Sequence, residues 1–246
     1  MGNHTAKRLT PRGALFLAVL LILALQRLVP FGRQILYPFT LLATWVHEMG
    51  HGLTAILVGG RFLKLEIFAN AGGIAYHAGT SGVRDALVSA GGLIAPPLVG
   101  AVLLVAARFA ARPVLLGLAA ALFLSVPLWV RTGVGWLTVG GLAALITAVG
   151  LYAREGSRLF FAQLLGLLLA FDFAARIDYF FMGNATVGGR VMVSDVGAIA
   201  QAVGGPYYLW GGLCAALSGV LLLVGLWAVL RPTASERAAL SRLAEP

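Results

Sequence analysis

His47, Glu48 and His51 stand in a stretch that is apolar for more than a helical turn on either side. Hydrocarbon surroundings tolerate such groups poorly, and an ionisable residue inside a membrane span marks a functional site by default. The three occupy positions i, i+1 and i+4. On a helix, i and i+4 share one face, so both imidazoles reach one metal ion. Glu48 directly follows the first histidine, which suits its carboxylate to take a proton from an attacking water rather than to bind the metal. A packed histidine pair beside a neutralised glutamate is the bland alternative. One shared Zn2+ accounts for all three costly groups at once.

Two histidines leave zinc one protein ligand short, because a catalytic site carries three plus an open position. The candidates for the third are Asp172, Asp178, Asp195, Glu66 and His77. Asp172 lies in an apolar run, with Arg176 four residues on as an ordinary ion-pair partner. Asp195 opens a glycine-containing segment close to the last apolar run. His77 falls where an interfacial polar residue is the simpler reading. Composition does not choose among the five.

What must hold these residues is a membrane bundle. Of 246 residues, 60% are hydrophobic and 11% charged, where a soluble domain carries about 25% charged residues. The 32 glycines suit close helix packing in lipid. The net charge of +9 does not imply nucleic acid, since the basic residues are scattered at helix ends; they fit loops and lipid headgroups instead. The single cysteine, Cys214, excludes an intrachain disulfide and a cysteine-rich zinc site, and reads as a small core residue.

Hydropathy places a first span at 13–29, retained rather than cleaved as a signal peptide, with a basic cytoplasmic N-terminus. The second span, 35–58, carries the histidines and stops at Gly59 and Gly60. Residues 61–68 alternate in polarity, residues 70–73 form a turn and 74–77 return, which predicts a β-hairpin directly after the motif helix. Because open strand edges are not tolerated against lipid, that hairpin must lie at the interface or line a protein cavity. Further spans are expected at 85–107, 113–130, 133–151, 159–175 and 207–230. The first of these should kink near Gly91, Gly92, Pro96 and Pro97. Arg154, Glu155 and Arg158 read as a loop, Ser194 as the N-cap of a short helix, and the tail 233–246 as a surface helix. The reading is an all-α polytopic membrane protein of six to seven transmembrane helices with one small β-hairpin, forming a single domain over 1–246.

The run His47, Glu48, Met49, Gly50, His51 and Gly52, continuing through Leu57, Val58, Gly59 and Gly60 into a hairpin and a glycine-rich span, resembles the site-2 protease family of intramembrane zinc metalloproteases. The closer likeness is to the compact bacterial members without a PDZ domain. The resemblance implies that a late helix supplies an aspartate ligand, usually in an Asp-Gly motif. This chain has no Asp-Gly; its nearest counterpart is Ser194, Asp195, Val196 and Gly197. The implied ligands are then His47, His51 and Asp195, with Glu48 as the catalytic base. The implied substrate is a transmembrane helix of another protein, locally unwound, in a bacterial inner membrane. The hairpin would either receive the unwound segment as an added strand or act as a structural plug. A metal or proton transporter is the competing class, and the lack of an internal repeat counts against it. An inactive relative that only binds membrane helices is a third; Glu48 counts against that.

Overall fold

The computed structural model describes residues 36–232 and four isolated positions before them, 17, 20, 24 and 31. The expected first span and the C-terminal tail therefore lie outside the described residues. Helix α1, Tyr37–Leu57, starts with a proline in its first turn and ends where Gly59 takes a left-handed φ of 84°. It is buried over most of its length, packed on α2 (Val83–Leu128) and more lightly on α3 (Gly133–Tyr152) and α4 (Glu155–Ala175). A helix buried on nearly every side must be apolar all round, which is why its polar cluster stood out.

Four described helices are long and apolar enough to cross a membrane: α2, α3, α4 and the last helix, Tyr207–Leu230. Of the expected spans, 13–29 lies outside the described residues, and the motif span 35–58, here α1, is not among the four. The expected spans 85–107 and 113–130 are the two halves of α2, whose 46 residues would extend about 69 Å if straight, about twice a hydrocarbon core of about 30 Å, and which kinks between them. The non-helical residue inside α2 is Ala110, at φ −157° and ψ 79°. In an unbroken helix the Pro113 ring would strike the carbonyl of Phe109, so the chain breaks next to it. No non-helical residue interrupts α2 at Pro96 and Pro97. There the helix is held by packing on both sides of the prolines, with Gly91 against Thr54 of α1 and Gly100 against Ala170 of α4. The expected loop at 154–158 is likewise shorter: Glu155 already begins α4.

The expected hairpin is present as β1 (Arg61–Ile67) and β2 (Gly73–Ala78), antiparallel, with Lys64 opposite Tyr76 and Glu66 opposite Ile74. The outer edge of β1 is taken by the α2–α3 connection. Leu65 N–H donates to Trp129 O (2.8 Å), Arg131 N–H donates to Leu65 O (2.9 Å), and the Thr132 hydroxyl bonds both backbone groups of Ile67. Among the described residues β2 has no second strand beside it.

After α4, a 3-10 turn at Ile177–Phe181 leads into a second hairpin, β3 (Asn184–Val187) and β4 (Arg190–Val193). This hairpin was not expected from the sequence. Its two-residue turn, Gly188 and Gly189, has φ of 57° and 79°, the pairing that matches strand twist in tight hairpins. The tips of the two hairpins meet, Val187 against Gly72 and Gly188 against the Phe68 ring. The second hairpin closes where it began: Ser194 N–H donates to Gly183 O at 3.1 Å and the Ser194 hydroxyl donates to Met182 O. Ser194 then caps α5 (Asp195–Val203) by accepting from Gly197 N–H at 3.1 Å, as its position implied. The last helix, α6 (Tyr207–Leu230), completes the bundle.

Two buried clusters fix the elements that carry the polar residues. One joins α1, β1, α2, α3 and α4 around Leu42, Leu65, Leu122 and Ile146, with Trp45 Nε1 donating to Ser125 Oγ at 2.9 Å. The other holds Val196 and Ile199 of α5 against Leu93 of α2, Phe180, and Cys214 of α6.

Candidate metal centre

Asp195 is 144 residues beyond His51, and packing brings them together. With Val196 and Ile199 seated against Leu93, Phe180 and Cys214, the first residue of α5 falls beside the polar face of α1. Asp195 Oδ2 lies 3.1 Å from His47 Nε2, and Asp195 Oδ1 lies 3.3 Å from His51 Nε2. The two Nε2 atoms are 3.1 Å apart. Ligand atoms about 2.0–2.1 Å from a tetrahedral zinc are about 3.3 Å from one another. The two imidazole nitrogens and the carboxylate, which meets each of them through a different oxygen, form a triangle of about that size, and its atoms are the nitrogen and oxygen donors zinc accepts. Among the described residues, His47, His51 and Asp195 form a group able to hold a metal ion.

Neighbours fix two of the corners, His51 and Asp195. His51 Nδ1 lies 2.9 Å from Val88 O. A carbonyl only accepts, so the proton is on Nδ1 and the Nε2 lone pair faces the triangle. The ring lies flat against Gly92, where a Cβ would overlap it. Asp195 receives a hydrogen bond from Tyr179 Oη at 3.1 Å. Glu48 stands outside the triangle and is only 5% exposed. Its side chain packs on Gly73, and the Ala75 backbone N–H faces its carboxylate. A cavity of about 190 Å³ opens onto the three corners and Glu48, walled by Ile74 and Ala75 of β2 and by Val187 and Val193 of the second hairpin.

A model of the Peptidase M50B-like family matches residues 14–225. The chain belongs to that family. This is a site-2 protease family, and M50 peptidases are zinc metalloproteases. Searches of curated proteins and of solved structures find no match. For this M50B-like chain, family and apolar helices together fit a membrane metalloprotease, and the His-His-Asp group could bind a metal ion.

The other four third-ligand candidates lie outside the His47–His51–Asp195 group. Asp172 Oδ1 accepts from Arg176 Nε at 3.1 Å, the ordinary i,i+4 partner. Asp178 is exposed on the 3-10 turn. Glu66 accepts from Lys64 Nζ at 2.7 Å and from Tyr76 Oη at 3.1 Å; the hydrogen bond from Lys64 is the main reason its carboxyl is held below the usual range. His77 lines the same cavity without joining the triangle, and burial pushes its imidazole pKa down. Sequence reasoning overlooked Tyr179 and the second hairpin. Two glycines between β-branched residues at 186–191 were a readable signal for the hairpin. Nothing local singles out Tyr179.

Proposed function

We propose that the chain is an intramembrane zinc metalloprotease that hydrolyses peptide bonds within or near transmembrane segments of other proteins. It would work as one integral membrane domain over 1–246, in a bacterial inner membrane, on protein and not on nucleic acid. The observation that carries the reading is the His47–His51–Asp195 triangle with a buried carboxylate, Glu48, beside it and open to the same cavity.

His47, His51 and Asp195 would hold Zn2+. When bound, zinc supplies a Lewis acid that acidifies water and polarises a scissile carbonyl. Glu48 takes the proton of the attacking water and later returns it to the leaving amine. Burial against Gly73 holds its carboxylate at the edge of β2. A transmembrane helix hides its carbonyls and must unwind before it can be cut. The edge of β2 beside Glu48 is without a strand among the described residues, and it would accept the unwound segment by strand addition.

The test is cleavage of a panel of membrane-protein substrates by the purified chain in zinc-loaded liposomes. Glu48→Gln should abolish cleavage while zinc content stays at one per chain. Cleavage surviving in Glu48→Gln would sink the mechanism. A normal zinc content in Asp195→Ala would remove that residue from the site.

A further inference from the structure

Around the Asp195 carboxylate, the hydrogen-bonding neighbours in the described residues are His47, His51 and Tyr179. The two histidines are corners of the same triangle and would give their lone pairs to the metal. The Tyr179 hydroxyl is the donor that remains. It donates to Asp195 Oδ2 at 3.1 Å, and the Asp195 backbone N–H faces the same phenol oxygen. The ring stands edge-on to the His47 imidazole, centroids 6.4 Å apart.

The phenol is also held from behind. Tyr179 belongs to the 3-10 turn Ile177–Phe181, where its N–H donates to Arg176 O at 2.9 Å. The next residue, Phe180, is 3% exposed and packs with Val196, Ile199 and Cys214. Its carbonyl lies against Gly211 of α6, so the turn cannot settle closer to that helix. The turn and α5 are thus seated in one cluster, and the hydroxyl reaches Asp195 from a fixed direction.

We infer that Tyr179 is a positioning residue: its hydroxyl holds the Asp195 carboxylate in the orientation that completes the metal triangle, the role outer donors play for zinc ligands. This rests on the proposal that the triangle binds zinc. An aspartate at the first position of a helix can rotate about its side-chain bonds, and Tyr179 selects the rotamer that faces the histidines. The hydroxyl also engages part of the carboxylate charge, so its loss should change both the affinity for metal and the ligand field.

The experiment uses the full-length chain in detergent, with zinc affinity measured by competition with a chromophoric chelator and with the visible spectrum of the Co2+-loaded protein. Tyr179→Phe keeps the ring and removes only the hydroxyl. Its zinc Kd should rise by roughly 10–100-fold and its Co2+ bands should shift. In an Asp195→Ala background the same substitution should have no further effect on Kd. A wild-type Kd and Co2+ spectrum in Tyr179→Phe overturn the inference, and so does an undiminished further loss in the Asp195→Ala background. A wild-type chain that binds no zinc overturns the metal site and this inference with it; wild-type zinc binding with an unaltered Tyr179→Phe overturns this inference alone.

Discussion

Two glycines separate the work of the base from that of a ligand. A Cβ at Gly73 would lie 2.6 Å from Glu48 Cγ and 2.9 Å from Glu48 Oε1. Carbon atoms in comfortable contact are about 3.5–4.0 Å apart, so Gly73→Ala must push the Glu48 side chain by about 1 Å. Misplacing a reacting group by that much costs about 100-fold in rate, which corresponds to about 2.7 kcal/mol of activation free energy. Glu48 is not a corner of the triangle, so zinc content should stay at one per chain. Gly92→Ala makes the opposite prediction. Its Cβ would overlap the His51 ring, and no small rotation clears it while Nδ1 stays on Val88 O. The ring must leave the triangle, and zinc should be lost together with cleavage. Neither glycine has a left-handed backbone, so the effect is steric. The assay pairs metal content with initial rates on one reporter substrate in liposomes. Wild-type cleavage by zinc-replete Gly73→Ala, to within about threefold, would refute the placement of Glu48 as the base.

Other substitutions probe the frame. Asp172→Asn should keep zinc content and cost less than about 1 kcal/mol in a detergent unfolding titration, because its partner Arg176 is partly exposed. Ser125→Ala should cost about 1–3 kcal/mol in the same titration, since it strands the buried Trp45 indole N–H. Thr132→Val removes the N-cap of α3 and both side-chain bonds to Ile67; a loss of about 1–2 kcal/mol should come with faster amide exchange in β1.

The parts that could be read from sequence are those set by local pattern. The histidines and Glu48 showed because polar groups are conspicuous in an apolar helix, and the first hairpin because its polarity alternates. Ser194 was readable as a cap, and Asp172 as the partner of Arg176. Asp195 was only one of five candidates on the residues themselves, and family resemblance singled it out. Its approach to His47 depends on Val196 and Ile199 fitting between α2 and α6, a property of three helices at once. The break at Ala110 falls between the expected spans 85–107 and 113–130, whereas the kink expected near Pro96 and Pro97 is absent for a related reason. Proline weakens any helix, but neighbours decide which weak point yields: Pro96 and Pro97 are clamped between α1 and α4, and the chain gives way beside Pro113. Tyr179 could not be foreseen, because nothing in its local sequence points to Asp195.

The bond from Ser194 N–H to Gly183 O has a consequence for how such a protein can diversify. The second hairpin leaves and rejoins the bundle at one point; Val196 and Ile199, which seat α5, lie outside it, while Val193 of β4 packs against Gly197 of α5. Strands there could be lengthened, shortened or exchanged without moving α5, as long as the residue at 193 still fits against Gly197. The roof of the cavity is therefore a replaceable module, while the chemistry beneath it is tied to parts of the chain that cannot change length.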